Sequence, residues 1–378
     1  MWKERLDDLH LPKLLEFPNG TPVQSAGDWE KRRKEILDLL CREEYGQCLD
    51  PPEKVSAVVK KEDDQACAGK VLQQSILLSM EIQGKPFSFP LQVFVPKKVA
   101  NPMTIVYLAF RPDAPDRYLP LEEITDEGFA VVTFCYQDIA ADRDDDFTGG
   151  LAGILKKEGG RPAEDTGKLM MWAFAASCVL DYLETRADID LRNVGVMGHS
   201  RLGKTALVAA AYDQRFAFCF PNDSGCSGDA ITRGKEGERI KQITDHFPYW
   251  FCPNYSQYAG REGQMPFDQH FLVAAIAPRY VCAGTAVDDT WSDPMSQYLS
   301  YTAADEVYRF LGKEGFVHPD RMPKAGDTFQ EGTIGFHLRS GTHFHSRYDW
   351  QQYMEFMKKH RIRGRKTNGM ERLKWIEH

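Results

Sequence analysis

Four residues in one order invite a chemical reading: Ser200 in Gly198-His199-Ser200, then Asp223, Asp289 and His343. A serine hydroxyl is a weak nucleophile until a histidine takes its proton and a carboxylate orients that histidine. The stretch around the serine, VGVMGHSRLGKTALVAAA from Val194 to Ala211, also fits a second pattern. Gly198 to Thr205 reads G-x-x-x-x-G-K-[ST], in which loop amides wrap phosphates, the lysine meets the terminal phosphates and the threonine binds Mg²⁺. As a nucleophile elbow the segment departs from G-x-S-x-G. Leu202 holds the fifth position, and the glycine arrives one residue later, at Gly203. The elbow's physical requirement survives. Gly198 leaves room for a strained turn that projects Ser200, and the Arg201 amide faces a developing oxyanion from a helix N-terminus.

The surrounding elements favour the elbow. A P-loop usually follows the first strand of its sheet, but MTIVYLAF (103–110) and FAVVTFCY (129–136) already read as buried strands before this one. AVDD at 286–289 offers a carboxylate for a Walker B strand, yet a P-loop leaves the downstream Asp- and His-bearing loops without a role. Asp223 ends the strand AFCFPND (217–223), Asp289 follows APRYVCAGTAV (277–287), and His343 follows IGFHLR (334–339). The order Ser, acid, His is that of α/β-hydrolases, and strand C-termini are where an open α/β sheet gathers its ligands. Each residue also has an ordinary alternative. Asp223 caps a turn, Asp288 or Asp289 caps the next helix, and His343 sits in a plain loop.

The remaining pattern completes a doubly wound, mainly parallel sheet. Residues 28–44 form a charged helix with Ile36, Leu37 and Leu40 as its apolar stripe and Asp28 as its N-cap. A connection through Asp50-Pro51-Pro52 leads to antiparallel strands over 70–96, turning at Gly84-Lys85-Pro86. Helices are expected at 166–186, 201–213, 294–312 and 347–360, alternating with strands that include 193–197. We expect one domain over 1–378, with 1–60 as an N-terminal extension packed on it.

Composition limits the partners. Among 378 residues, 42% are hydrophobic and 27% charged, as in a globular enzyme. A net charge of −8 argues against nucleic acid as the main partner. No run of 18 apolar residues suggests a membrane span. The N-terminal MWKERLDDLHLPKLLEF lacks a signal core, so a cytoplasmic protein is expected if Met1 is the native start, and a secreted one if a signal has been removed. Nine scattered cysteines without a CxxC pair read as reduced thiols, with Cys226 a packing residue. The run Asp142 to Asp146 lacks calcium-loop spacing and reads as a solvated loop, and the basic tail from His360 to Lys374 as a solvated face.

These residues resemble the glucuronoyl esterases, carbohydrate esterase family 15, in their bacterial branch. The resemblance runs from DWEKRRKEILDLLCREEYG through GFAVVTFCYQDIAADRDDDF, GHSRLGKTAL, NDSGCSGDAITRGKEGE, HFPYWFCPNY and VDDTWSDP to FHLRSGTH and YDWQQYMEF. It implies an α/β-hydrolase fold, a three-layer sandwich on a mainly parallel sheet, with no metal and no organic cofactor. It implies a carbohydrate substrate, an ester of 4-O-methyl-glucuronic acid such as those joining xylan to lignin alcohols. By position, Ser200 resembles the nucleophile, His343 the base and Arg201 the oxyanion residue. The family places its acid at one of two sites, Asp223 or Asp289 here, and the shorter reach of aspartate at the first favours Asp289. Lys204 matches the residue on sugar hydroxyls, and Glu238 and Trp291 match glucuronate-pocket positions. His246 stands where many members carry glutamine. Arg111-Pro112-Asp113-Ala114-Pro115 replaces a loop more often rich in glycine and asparagine near the mouth of the site. The competing readings are an acetylxylan esterase on the same fold, a carbohydrate-binding homologue without catalysis, and a nucleotide-binding P-loop protein.

Overall fold

Six short apolar runs form the centre of one sheet because both of their faces find cover. In the computed structural model, which describes residues 2–144 and 146–364, the strands are β1 (Val55–Gln65), β2 (Val71–Ile82), β3 (Lys85–Pro96), β4 (Thr104–Ala109), β5 (Ala130–Cys135), β6 (Val194–His199), β7 (Phe218–Asn222), β8 (Tyr280–Ala286), β9 (Asp327–Phe329) and β10 (Ile334–Arg339). Their order across the sheet is β1-β2-β3-β5-β4-β6-β7-β8-β10-β9. Strands β5, β4, β6, β7, β8 and β10 run parallel, and β1, β2, β3 and β9 extend the edges antiparallel. The chain passes from β4 to β5 on one side and returns to β6 on the other. The order therefore reverses beside β4, which opens a crevice at the strand C-termini.

Alternate residues face opposite layers. Val106 and Leu108 of β4 join the larger core, while Ile105 and Tyr107 join the second. The larger core holds the helix Lys168–Leu183, whose side chains are almost all buried. That burial explains why the run is apolar on every side rather than striped. The helices Arg201–Tyr212 and Pro294–Phe310 pack on the same face, and Arg347–Lys359 covers the other through Trp350, Tyr353 and Phe356. Each large apolar side chain so enclosed contributes about 1.5–3 kcal/mol.

Several boundaries differ from the sequence expectation. The first long helix spans Ala26–Leu40, and Ser25, not Asp28, is its N-cap: the Ser25 hydroxyl accepts from the Asp28 amide. Asp28 sits three residues on, and its carboxylate accepts a hydrogen bond from the Ser25 hydroxyl at 2.8 Å. The β2–β3 turn is Gln83-Gly84, both at positive φ, one residue ahead of the expected signal. Strand β1 has no counterpart in the expectation, because VSAVVKKEDDQ is exposed nearly throughout and lacks an apolar alternation. Its charges suit a sheet edge. Arg361 and Arg363 of the basic tail are exposed. Its remaining basic residues, Arg365, Lys366, Arg372 and Lys374, lie outside the described residues.

The N-terminal helix is anchored in the main core through Trp29, Ile36 and Leu40, and buried Arg33 donates to the carbonyls of Ala211 and Ala275. Beyond Leu40 it loosens into a π-turn, Cys41–Tyr45, that carries Glu44 into the interior. Gln269 Nε2 donates to the Glu44 carboxyl at 3.1 Å, and burial pushes that carboxyl up to about 8. In the unfolded chain the same proton leaves near the ordinary value, about 4.3. A retained proton therefore favours the fold below that value, and the advantage is lost as pH rises towards 8. Glu44→Gln, which cannot ionise, is expected to gain in Tm relative to wild type between pH 5 and pH 8. Thermal unfolding across this range tests it, and a Tm difference that stays constant with pH refutes it.

Candidate active site

The elbow is built by steric exclusion. Ser200 has φ 59° and ψ −126°, outside the regions that ordinary residues occupy. It stands between β6 and the helix Arg201–Tyr212, and its amide donates to Asn222 O at 2.8 Å. A Cβ at Gly198 would lie 2.1 Å from Leu202 O, so only glycine fits. A Cβ at Gly203 would come within 3.0 Å of both Asn222 O and Ser224 Cβ. The glycine missing from the fifth position is thus needed at the sixth, where the helix passes the end of β7. Leu202 is fully buried instead.

The same geometry removes the phosphate-binding reading. Lys204 is buried and donates to the Ser224 carbonyl, and burial lowers its pKa. Thr205 bonds back to Arg201 O at 3.0 Å, and none of its surface is exposed. Neither is presented to a nucleotide.

Two loops bring the downstream residues together. Val287 N donates to Arg339 O at 2.9 Å and Asp288 N to Gly341 O at 3.0 Å, so the loops after β8 and β10 are tied side by side. His343 Nδ1 then meets Asp289 Oδ2 at 2.7 Å. Asp289 is not the helix cap: Asp293 is, accepting from Ser296 N at 3.1 Å. Burial alone would raise the Asp289 carboxyl, but hydrogen bonds from His343 and Ser292 outweigh it and hold the group below its ordinary value. The His343 side chain is 41% exposed, open to a ligand on its other edge. Among the described residues no hydrogen bond joins Ser200 Oγ to His343, a contact commonly long before substrate binds.

Asp223 has a different environment. It is buried behind the pair, accepting from Thr285 Oγ1 at 2.9 Å, Ala286 N at 3.1 Å and Arg339 Nη2 at 3.3 Å. Burial and the charges of Asp289 and Asp349 push its carboxyl well up, against Arg339 and Thr285. Donor atoms of Asp223, Asp289 and His343 lie within 4.8 Å of one another, near enough for one cation. Those atoms are already occupied, and the Arg339 guanidinium on Asp223 disfavours a second positive charge there. Arg339 also binds Asp349 and the Phe344 carbonyl, which shapes the loop carrying His343.

His199, a residue to which the sequence reading gave no role, packs its ring 4.5 Å from that of His343. Asn222 Nδ2 donates to Gly284 O and Tyr353 Oη, which leaves Oδ1 to accept from His199 Nδ1 at 2.7 Å. Burial, then the neighbouring His343 and His345, push the His199 pKa well down. A neutral ring therefore lies beside His343.

Arg201 is half-buried, with its guanidinium 4.9 Å from the Trp250 ring centre, and it forms an ion pair with Asp142. This corrects the expectation of a solvated acidic run. Arg143, Asp144 and Asp146 are exposed, but the Asp142 side chain is only 5% exposed. Charge-rich composition concealed it. The Glu238 loop meets Trp291 directly: Glu238 N and Lys235 Nζ both donate to Trp291 O at 3.0 Å. Gly237, at φ 66°, permits this approach, since its Cβ would lie 2.4 Å from Thr290 O. Trp291 is 53% exposed, so it lies at the surface and not in the core. His246 ends the helix Ile240–His246, exposed, with Nδ1 bonded to Gln242 O at 2.7 Å.

Known proteins share this arrangement of chain. The family described as glucuronyl esterase of fungi matches residues 78–312. A carbohydrate esterase of an unknown prokaryotic organism is 33% identical, over 94% of this chain and 90% of its own. A 4-O-methyl-glucuronoyl methylesterase of Schizophyllum commune is 29% identical, over 80% of this chain and 74% of its own. The solved glucuronoyl esterase of Solibacter usitatus superposes with a TM-score of 0.84 at 32% identity, over 92% of this chain and 97% of its own. The chain therefore belongs to the glucuronoyl esterases, carbohydrate esterase family 15, and is a carboxylic ester hydrolase of the α/β-hydrolase fold.

Proposed function

We propose that this enzyme hydrolyses esters of glucuronic acid or its 4-O-methyl ether through an acyl-enzyme on Ser200. The observation that carries the assignment is the 2.7 Å bond from His343 Nδ1 to Asp289 Oδ2, formed beside the strained Ser200 turn. With Nδ1–H given to Asp289, Nε2 of His343 is left as the base. It takes the Ser200 proton as Oγ attacks the uronate carbonyl carbon. The Arg201 amide and guanidinium stabilise the negative oxygen, a charge-assisted contact stronger than one from a neutral donor. The tetrahedral intermediate collapses, and the alcohol leaves with the proton from His343. Water, deprotonated by the same nitrogen, then releases the uronate.

Asp289 is the acid of this triad, because it holds His343 and its environment favours the anion. Asp223, pushed towards the neutral form, supports the loops through Arg339. Trp291 offers a flat apolar face to the sugar ring, with Glu238 beside it for hydroxyls. Lys204, expected on a sugar hydroxyl, is buried with its ammonium on the Ser224 carbonyl.

The test is kinetic. Ser200→Ala is expected to abolish turnover of a methyl glucuronate ester while keeping the wild-type Tm. Asp289→Asn should lower kcat by about 10²–10⁴-fold, as loss of a triad acid does. Asp223→Asn should stay within about tenfold of wild type. The reverse ranking of the two aspartates would move the triad acid to Asp223. Faster turnover of an acetylated sugar than of the glucuronate ester would assign the enzyme to acetyl esters instead.

A further inference from the structure

Arg201 can stabilise an oxyanion only if its guanidinium is held in place before the charge appears. The groups that hold it come from the opposite side of the switch point. Asp142 lies in the loop after β5, whereas Arg201 begins the helix after β6. Asp142 Oδ2 receives Arg201 Nη1 and, at 2.7 Å, the Tyr136 hydroxyl; Oδ1 receives Trp250 Nε1, also at 2.7 Å. Each of these three bonds ties the carboxylate to Arg201 or to a group that shares it with Arg201. Trp250 plays both parts: its indole N–H fixes Asp142, while its ring lies under the guanidinium. Phe247 stacks on Trp250 at 3.9 Å with the rings 4° from parallel, which closes the wall. Arg201 Nε is buried here and has no hydrogen-bond partner among the described residues. The side chain is 28% exposed while Nη1 is held on Asp142.

The backbone under Asp142 is pinned as well. Trp172 Nε1 donates to Ala140 O at 2.9 Å, and buried Lys168 Nζ donates to Ala141 O and Arg143 O, each at 2.7 Å. Three carbonyls on both sides of Asp142 are thus bound by one buried helix, Lys168–Leu183. A loop that only links β5 to the next helix has no need of such a footing.

We propose that Asp142 is a positioning residue for ester hydrolysis, holding the Arg201 guanidinium, with Tyr136 and Trp250, in the orientation that meets the developing oxyanion. The proposal rests on the oxyanion role assigned to Arg201 above. A carboxylate also draws part of Arg201's charge, so the arrangement exchanges some field strength for a fixed direction. Asparagine in its place keeps shape and one acceptor but loses the ion pair.

A double-mutant cycle separates the possibilities. kcat and KM for a methyl glucuronate ester, with Tm, are measured for wild type, Asp142→Asn, Arg201→Ala and the double variant. Asp142→Asn is expected to lower kcat by about 10–100-fold and to change KM by less than about threefold. In the Arg201→Ala background the same substitution is expected to cost less than about twofold, because the group it positions is gone. An equal loss in both backgrounds, or an unchanged kcat, overturns the proposal. Wild-type kcat in Arg201→Ala alone would overturn the oxyanion role itself, and is read from a different protein in the cycle. If Asp142→Asn does not fold, Tyr136→Phe removes one donor to the same oxygen. It should lower kcat several-fold only while Arg201 is present; a loss that persists without Arg201 counts against the proposal.

Discussion

The turn at Ser200 exists because two glycines let backbone pass where no side chain fits. Gly198 stands against Leu202 O, and Gly203 against the end of β7. A serine at φ 59° costs on the order of 1–3 kcal/mol and persists only where its surroundings leave no alternative. Here those surroundings are the buried strands β6 and β7 and the helix that leaves the turn. The strain therefore sits between two fully buried strands. That placement raises the hydroxyl above the strand ends and orients the helix so that Arg201 follows at its first position.

The other groups are delivered to this point by loops, each locked by hydrogen bonds to its backbone. The β8 and β10 loops are joined at Val287 and Asp288. Glu238 and Trp291 are joined through a main-chain bond. The β5 loop is bound to the helix Lys168–Leu183. Within this frame two aspartates of the same type take different parts. Asp289 faces a partly exposed imidazole and is held as the anion, while Asp223 is enclosed near two other carboxylates and is pushed towards the neutral form. Separation of like groups by environment is how one site supplies both a charge partner and a structural acid.

Much of this was legible in the sequence. The buried strands showed as short apolar runs, and ligand atoms of Asp223, Asp289 and His343 lie within 4.8 Å of one another. What the sequence hid was hidden for physical reasons. Strand β1 is an exposed edge, so its residues carry no alternation. Ser25 caps its helix from outside the charged run that signals it. Asp142 lies among exposed charges, and only the fold reveals that one of them is turned inward. Residue spacing also cannot say whether Lys204 points to a ligand or to the Ser224 carbonyl. The literal phosphate-loop match at 198–205 arose because close packing required glycine at 198 and 203, independently of any anion.

In the proposed reaction Ser200 is the nucleophile, activated by His343 and Asp289. The most direct test of this role is covalent capture. The enzyme is incubated with a serine-directed phosphonate ester, digested, and mapped by mass spectrometry. A single adduct is expected, on Ser200, formed much more slowly in Asp289→Asn. A phosphonate that leaves Ser200 unmodified, or that labels it at the wild-type rate without Asp289, would contradict it.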